Sequence, residues 1–144
     1  MRALGLDLGS KRIGVAVSDL TGTIASPLVV LARGRSRRHD HERIAALVRA
    51  EEAECVVVGM PHSLSGADGP AAKAARAEAS ALASVVGVPV ETHDERFTTV
   101  TANRALAEGG MRGPARRQVV DKVAAAVILQ AWLDRRREVS GVDR

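Results

Sequence analysis

A run of apolar residues in the middle of the chain constrains the fold most. Residues 55–59 (Cys-Val-Val-Val-Gly) contain no polar side chain, which is typical of a strand covered on both faces. A helical pattern that opens at Asp40 and ends at Glu51-Glu52 precedes this strand, and an alanine-rich helix over residues 70–86 follows it. A buried strand between two helices predicts an α/β fold.

Three further strands are predicted before the first helix. Residues 3–9 alternate between leucine and small or acidic residues, and strands at residues 13–17 and 24–31 follow after short turns. This succession is typical of an antiparallel meander. With another strand at residues 88–92, it predicts a mixed sheet, a three-strand antiparallel meander plus parallel strands, with helices on both faces.

The length of 144 residues fits one domain, since domains commonly have roughly 100–200 residues. We expect this domain to span residues 1–138 and a frayed tail to follow at residues 139–144. A basic loop at residues 111–117 and a final helix at residues 118–137 are predicted near its end.

Composition excludes several classes of protein. Cys55 is the only cysteine, so no disulfide forms within the chain, and we expect a cytoplasmic protein. The longest uncharged apolar run, residues 123–133, is shorter than the about 20 residues that cross a bilayer, so we expect no membrane span. The net charge of +4 suits a partner rich in phosphate. Two aromatic residues, Phe97 and Trp132, are too few to stack single-stranded bases, so a nucleic acid would be held by its backbone.

Basic residues crowd one turn and two segments. Lys11 and Arg12, just after the first strand, either contact phosphate or form an exposed turn. The first segment either steers a long backbone by counterion release or is a solvated charge run. The second directly precedes or flanks Asp121, so we expect it to contact phosphate. The first segment contains Arg33, Arg35, Arg37, Arg38, His39, His41 and Arg43, and the second contains Arg112, Arg116, Arg117 and Lys122.

Asp7 is an acidic residue in the middle of a predicted strand, with Gly5 and Gly9 on the same face. These glycines either leave room for a bulky group to approach the carboxylate or serve helix packing while Asp7 points to solvent. Aspartate is disfavoured in the middle of a strand unless it has a functional role, which favours the first interpretation.

Two other acidic positions stand out. Asp94 and Glu95 follow the end of a strand, where open α/β sheets place their sites, and we prefer Glu95. Asp121 begins an apolar helix on the face that Ala124, Ala125, Ile128 and Trp132 would turn inward. A carboxylate facing a core is costly unless it is paired or binds a cation. Alternatively, Asp121 is an N-cap or pairs with Lys122 or Arg117.

Carboxylates converging from a strand, a strand end and a helix start would hold one or two Mg²⁺ or Mn²⁺ ions. These ions prefer oxygen ligands and complete their shell with substrate phosphate. Two of them clamp the attacking and leaving oxygens of phosphodiester cleavage. Zinc is disfavoured because Cys55 is alone and the histidines lack ligand spacing.

Four ordered motifs across residues 2–134 resemble the YqgF family, also called RuvX. They are Gly-Leu-Asp-Leu-Gly-Ser-Lys-Arg-Ile-Gly-Val-Ala at residues 5–16, Val-Val-Gly-Met-Pro at 57–61 with Gly66 after it, Asp-Glu-Arg-Phe-Thr-Thr at 94–99, and Val-Asp-Lys-Val-Ala-Ala at 120–125. The resemblance implies a ribonuclease-H-like fold and a nuclease that processes the 5′ end of pre-16S rRNA during ribosome biogenesis. It places the family's catalytic and metal-binding acids at Asp7, Glu95 and Asp121.

Nucleic acid is therefore the expected partner, either structured RNA such as pre-16S rRNA or branched or single-stranded DNA, bound by a monomer or a homodimer. Its predicted contacts are Lys11, Arg12, Arg96, Arg112, Arg116, Arg117 and Lys122.

Three alternatives stay open at this point. The first is a Holliday junction resolvase or another nuclease of DNA repair or recombination, and the second is a non-catalytic nucleic-acid-binding factor. The third is an ATP-using phosphotransferase of the actin and sugar-kinase type, since residues 7–10 imitate its phosphate-binding turn. Such enzymes normally need two domains of this size.

Overall fold

The structure, a computed structural model, describes residues 1–60, 69–94 and 113–139, with side chains described over residues 123–137 of the last segment. Five strands and three helices lie in these ranges. They are β1 (Ala3–Leu8), β2 (Arg12–Ser18), β3 (Ala25–Ala32), α1 (Arg37–Ala50), β4 (Cys55–Met60), α2 (Pro70–Val86), β5 (Val90–Asp94) and α3 (Gly113–Val139).

The five strands form one mixed sheet in the order β3-β2-β1-β4-β5. β1 pairs antiparallel with β2, and β2 with β3, as the predicted meander requires. β1 pairs parallel with β4, and β4 with β5, so these three strands end at the same edge of the sheet. The mixed α/β sheet predicted from the sequence is confirmed.

Helices cover both faces of the sheet. Leu4 and Leu6 of β1 pack into a core with α1 and α2, whereas Ala3 lies in a second core with α3. β4 is buried at every position, because successive residues enter one core and then the other. This burial is what its unbroken apolar run predicts.

α2 spans the residues that the sequence predicts for it, because both ends carry strong local signals. Pro70 supplies a fixed φ at the first helical turn, and Gly87 ends the helix in the left-handed conformation at φ 76°. β5 lies two residues later than predicted, at Val90–Asp94.

Two other predicted boundaries are wrong. α1 begins at Arg37 rather than at Asp40, because Ser36 caps it by accepting a hydrogen bond from the backbone N–H of His39 at 3.0 Å. α3 begins at Gly113, so Arg116 and Arg117 belong to a helix and not to the predicted basic loop.

Within the described residues, no helix is long and apolar enough to span a bilayer.

Gly5 lets α3 lie close against β1. A Cβ atom at this position would meet Leu129 Cβ at 2.7 Å and the Ala125 carbonyl oxygen at 3.1 Å. A Cβ at Gly9 would meet the Arg12 carbonyl oxygen at 2.6 Å, inside the turn between β1 and β2. The interpretation that these glycines make room for a ligand at Asp7 is therefore wrong, because helix packing and turn closure already occupy the space.

A buried ionic network joins α1, α2 and the end of β3. Arg33 donates two hydrogen bonds to the Glu78 carboxylate, at 2.7 and 2.9 Å, and His41 Nε2 donates to the same carboxylate at 2.8 Å. Asp40 lies 3.7 Å from Arg33 and accepts from Arg43 at 3.1 Å. Burial raises the pKa of Glu78, but the hydrogen bonds and charges of Arg33 and His41 outweigh it, so the pKa lies below its usual value.

The network corrects the prediction that all seven basic residues of the first basic segment form one solvated or backbone-steering run. Arg33 and His41 are held by Glu78, and Arg43 by Asp40 and the Ala32 carbonyl. Exposed basic side chains in this segment are those of Arg35, Arg37 and Arg38.

Gly5→Ala is expected to lower the free energy of unfolding by about 1–3 kcal/mol, because a methyl group there meets backbone and Cβ atoms that cannot rotate away. Gly59→Ala is the matched control. Its methyl group would meet Ile128 Cδ1 and Cγ1, side-chain atoms that can shift further than the backbone and Cβ atoms near Gly5, so the loss should be smaller. Urea denaturation of both variants tests this, and an equal or smaller loss for Gly5→Ala would contradict the packing described here.

Glu78→Gln is expected to cost about 2–3 kcal/mol at neutral pH, somewhat less than a fully buried pair because Arg33 is partly exposed. A carboxylate whose pKa is lowered in the folded state stabilises the protein above its unfolded value, here 4.5, and loses that contribution as the pH falls further. The difference in unfolding free energy between wild type and variant should therefore shrink below pH 4.5. A difference that stays constant from pH 7 to pH 3 would contradict this assignment.

Candidate nucleic-acid-processing site

Asp7 lies at the carboxyl edge of the sheet, one residue before the end of β1. It is buried, with 8% of its surface exposed. Strand alternation puts Asp7 on the same face as Gly5, the face on which α3 packs. This burial contradicts the alternative interpretation in which Asp7 points to solvent.

The turn that follows Asp7 carries two of the predicted phosphate contacts. Gly9 N–H donates to the Arg12 carbonyl at 2.9 Å, which closes the β1–β2 hairpin around Ser10 and Lys11. Lys11 is exposed and Arg12 is half-buried. Both cations therefore lie at the same edge of the sheet as Asp7, a few residues along the chain.

A cavity of about 380 Å³ adjoins Asp7 at this edge. One wall is the β1–β2 turn, and another is the first part of α2, where small side chains leave the space open. The Arg33–Glu78 ion pair described above completes the wall. The lining residues are Asp7, Leu8, Gly9, Ser10, Arg33, Gly59, Ala71, Ala74, Ala75 and Glu78.

Asp94 is the last residue of β5 and is half-buried at the same edge of the sheet. Its register partner is Met60, and the preceding pair is Gly59 with His93. β5 and β1 are separated by β4 alone, so their ends lie about 10 Å apart at the usual strand spacing of about 4.8 Å. The sequence preference for Glu95 over Asp94 concerns a residue outside the described ranges.

His93 lines a second cavity of about 430 Å³ together with Asp94, Trp132 and Arg135. Burial lowers the pKa of His93, and the charge of Arg135 lowers it further, whereas Asp94 opposes the shift. The imidazole is therefore neutral at neutral pH. Trp132 is buried in the α3 core, as predicted, and Arg136 lies over its ring at 5.2 Å.

Asp121 lies in α3, one helical turn before Ala125, the residue whose carbonyl meets Gly5. The inward face predicted for this helix is confirmed at Ala124, Ala125, Ile128 and Trp132, which are buried. The side chain of Asp121 itself is outside the described residues. The helix nevertheless brings its backbone to the neighbourhood of β1.

The remaining predicted site residues lie outside the described ranges or have side chains that do. Glu95, Arg96 and Arg112 belong to the first group, and Arg116, Arg117 and Lys122 to the second. Over the ranges with described side chains, no three His, Cys, Asp or Glu residues group closely enough to hold a metal ion. The convergence of Asp7, Glu95 and Asp121 stays a prediction.

The Arg33–Glu78 pair, which lines the same cavity as Asp7, is not predicted from the sequence. Glu78 stands four residues before Leu82 and eight before Val86, and all three are buried on one face of α2. That spacing is the signal that was available. It marks Glu78 as an inward-facing acid, which needs a cationic partner.

Comparison with known proteins places the chain in a family. The family model of RuvX, described as Holliday junction resolvase, matches residues 1–135. A relative from Moorella thermoacetica is 47% identical over 135 residues, which cover 94% of this chain and 96% of that protein. A relative from Mycobacterium sp. (strain KMS) is 47% identical over 137 residues, covering 94% and 81%. Both are provisionally named pre-16S rRNA nuclease.

Solved structures agree with the fold. RuvC from Thermus thermophilus, in complex with a Holliday junction substrate, matches with a TM-score of 0.59 at 19% identity over 94% of this chain and 95% of that one. Another structure of Thermus thermophilus RuvC matches with a TM-score of 0.56 at 18% identity, covering 94% and 96%. At this identity the likeness concerns the fold, and it supports the predicted ribonuclease-H-like architecture. The match of the family model over residues 1–135, together with relatives at 47% identity, shows that the chain belongs to the RuvX (YqgF) family of nucleases.

Proposed function

We propose that this protein is a divalent-metal-dependent nuclease that hydrolyses phosphodiester bonds in the 5′-end processing of pre-16S rRNA, in the cytoplasm. The observation that carries the proposal is the position of Asp7. Its carboxylate is buried at the carboxyl edge of the sheet, beside a cavity and next to a turn that presents Lys11. The names of the relatives at 47% identity support pre-16S rRNA as the substrate.

Asp7, Glu95 and Asp121 would hold one or two Mg²⁺ or Mn²⁺ ions. Carboxylate oxygens are the ligands these ions prefer, and Asp7 places one such group, buried, near the carboxyl end of β1. When bound, such ions lower the pKa of water and stabilise the charge that develops on the phosphate oxygens. Asp7 would anchor the ions, and the other two acids would complete their shell.

Basic side chains would hold the nucleic-acid backbone across this edge. Lys11 lies on the β1–β2 turn and Arg12 is the first residue of β2. The ammonium group of Lys11, a point charge on a flexible stem, suits an irregular phosphate backbone. The chain has two aromatic residues, so base stacking adds little. The other cations proposed for this surface are Arg96, Arg112, Arg116, Arg117 and Lys122.

Holliday junction cleavage is the second candidate, and the description of the matching family model favours it. A resolvase cuts two strands related by symmetry, so it would act as a two-fold dimer. The substrate that is cut fastest and the oligomeric state in solution separate the two functions. A non-catalytic binding factor would cut neither substrate.

Asp7→Asn is expected to lower the cleavage rate at least about a hundredfold while nucleic-acid binding persists, because the change removes one charge at the reacting centre and little volume. Labelled pre-16S rRNA leader, single-stranded RNA and DNA, and a four-way junction serve as substrates in parallel. Glu95→Gln and Asp121→Asn should behave like Asp7→Asn.

Asp134→Asn is the matched control, since Asp134 is exposed on α3 and bonds to Gln130. It should cleave at the wild-type rate. Full activity of Asp7→Asn would contradict the site assignment, and absence of cleavage by the wild type on all four substrates would favour the binding factor.

Removal of divalent metal with EDTA is expected to abolish cleavage, and added Mg²⁺ or Mn²⁺ to restore it. Calorimetric titration with Mn²⁺ gives a second measurement that does not depend on activity. Wild type and Asp134→Asn should bind the ion, and Asp7→Asn should bind it at least about tenfold more weakly because a charged oxygen ligand is lost. Undiminished cleavage in EDTA would contradict metal dependence.

A further inference from the structure

We propose that Arg33 and Glu78 are positioning residues that hold the β1–β2 turn so that Lys11 is presented to the nucleic-acid backbone. The inference rests on the proposed function and adds to its three acids two residues outside them, Arg33 after β3 and Glu78 in α2. It is carried by the hydrogen bonds of the turn, by the backbone conformation of the turn and by the ion pair beside it.

The turn does not have the backbone conformation that two-residue hairpins prefer. Such loops favour types I′ and II′, which need one or two residues with positive φ. Among the described residues, positive φ occurs at Glu52, Gly22 and Gly87, and therefore at no residue of the turn. The turn is therefore not of the types that a two-residue loop adopts most readily by itself, and hydrogen bonds from outside the turn contribute to its conformation.

Arg33 supplies two such bonds. Its backbone N–H donates to the Lys11 carbonyl at 2.9 Å, and its side-chain Nε donates to the Gly9 carbonyl at 3.0 Å. One residue therefore holds the turn on both sides of Ser10. The second bond depends on the orientation of the guanidinium group.

Glu78 fixes that orientation. Its carboxylate accepts from both terminal nitrogens of Arg33, which leaves Nε directed at Gly9. His41 Nε2 holds the carboxylate at 2.8 Å. A bidentate pair is directional as well as strong, so Glu78 of α2 fixes the guanidinium group of Arg33. That group in turn fixes the Gly9 carbonyl of the turn.

The chemistry requires arginine at position 33. The guanidinium group uses three of its nitrogens at once, one toward Gly9 and two toward Glu78. A lysine carries the same charge on a single nitrogen, which cannot reproduce the bidentate contact with Glu78 together with the bond to Gly9. Arg33→Lys therefore keeps the charge beside Asp7 and releases the turn.

Binding of labelled pre-16S rRNA leader tests the inference, with Asp7→Asn as the background so that cleavage does not interfere. Arg33→Lys and Glu78→Gln are each expected to weaken binding about fivefold to tenfold. The slope of log K against log salt should become shallower by the amount that corresponds to about one lost phosphate contact. Arg2→Lys is the matched control. It alters another Arg–Glu pair, Arg2 with Glu51 at 2.9 Å, just before the amino end of β1, and should leave binding unchanged.

A double-mutant cycle with Lys11→Ala separates positioning from a general loss of stability. If Arg33 acts through the turn, Arg33→Lys should weaken binding in the presence of Lys11 and have little further effect on Lys11→Ala. The same fold-loss in both backgrounds would overturn the inference, because Arg33 would then act elsewhere.

Amide hydrogen exchange without nucleic acid tests the turn directly. The Gly9 amide, which donates to Arg12, should exchange at least about tenfold faster in Arg33→Lys and Glu78→Gln, since the local opening becomes easier. The Gly22 amide, which donates to Asp19 in another turn, should be unaffected. Unchanged exchange at Gly9 would overturn the inference alone. A wild type that binds neither RNA nor DNA, with Gly9 exchange accelerated in the variants, would overturn the proposed function and the nucleic-acid role of the turn.

Discussion

The parallel pairing of β1, β4 and β5 is the constraint on which the rest of the structure depends. β1 and β4 are covered by helices on both faces, so they are buried along almost their whole length, whereas β5 is the outermost strand and exposes Glu91 and Thr92. Polar groups are tolerated where the strands end. Because all three strands end at one edge, Asp7 and Asp94 lie at that edge.

The close contact between α3 and the sheet is a second structural feature near this edge. Gly5 and Gly59 remove the side chains that would hold the helix away, and Leu129 and Ile128 fill the space. Asp121 lies on the same helix, about one turn before Ala125. Gly5 therefore serves the packing of α3 against β1 rather than room for a ligand at Asp7.

On the opposite face of the sheet, an ionic network holds the helices, whereas α3 is held by close apolar packing. Arg33, Glu78 and His41 connect β3, α2 and α1 in a region where an unpaired charge would be costly. Their bonds are directional, so they define the relative position of these elements more narrowly than apolar contact does. The same bonds reach the turn after Asp7, which links the packing of the helix layer to the edge where the proposed chemistry takes place.

The sequence by itself determined the mixed α/β sheet, the limits of α2 and the inward face of α3, because each depends on a local period or on a capping residue such as Pro70 or Gly87. It also marked Asp7, since an aspartate between leucines in a strand is conspicuous. Only the tertiary structure decided that Gly5 serves helix packing and that Arg33, within a run of basic residues, is bound by Glu78, 45 residues later. The physical reason is distance along the chain. A partner so remote leaves no period or spacing near Arg33 that could indicate it, whereas a strand or a helix repeats its pattern every few residues.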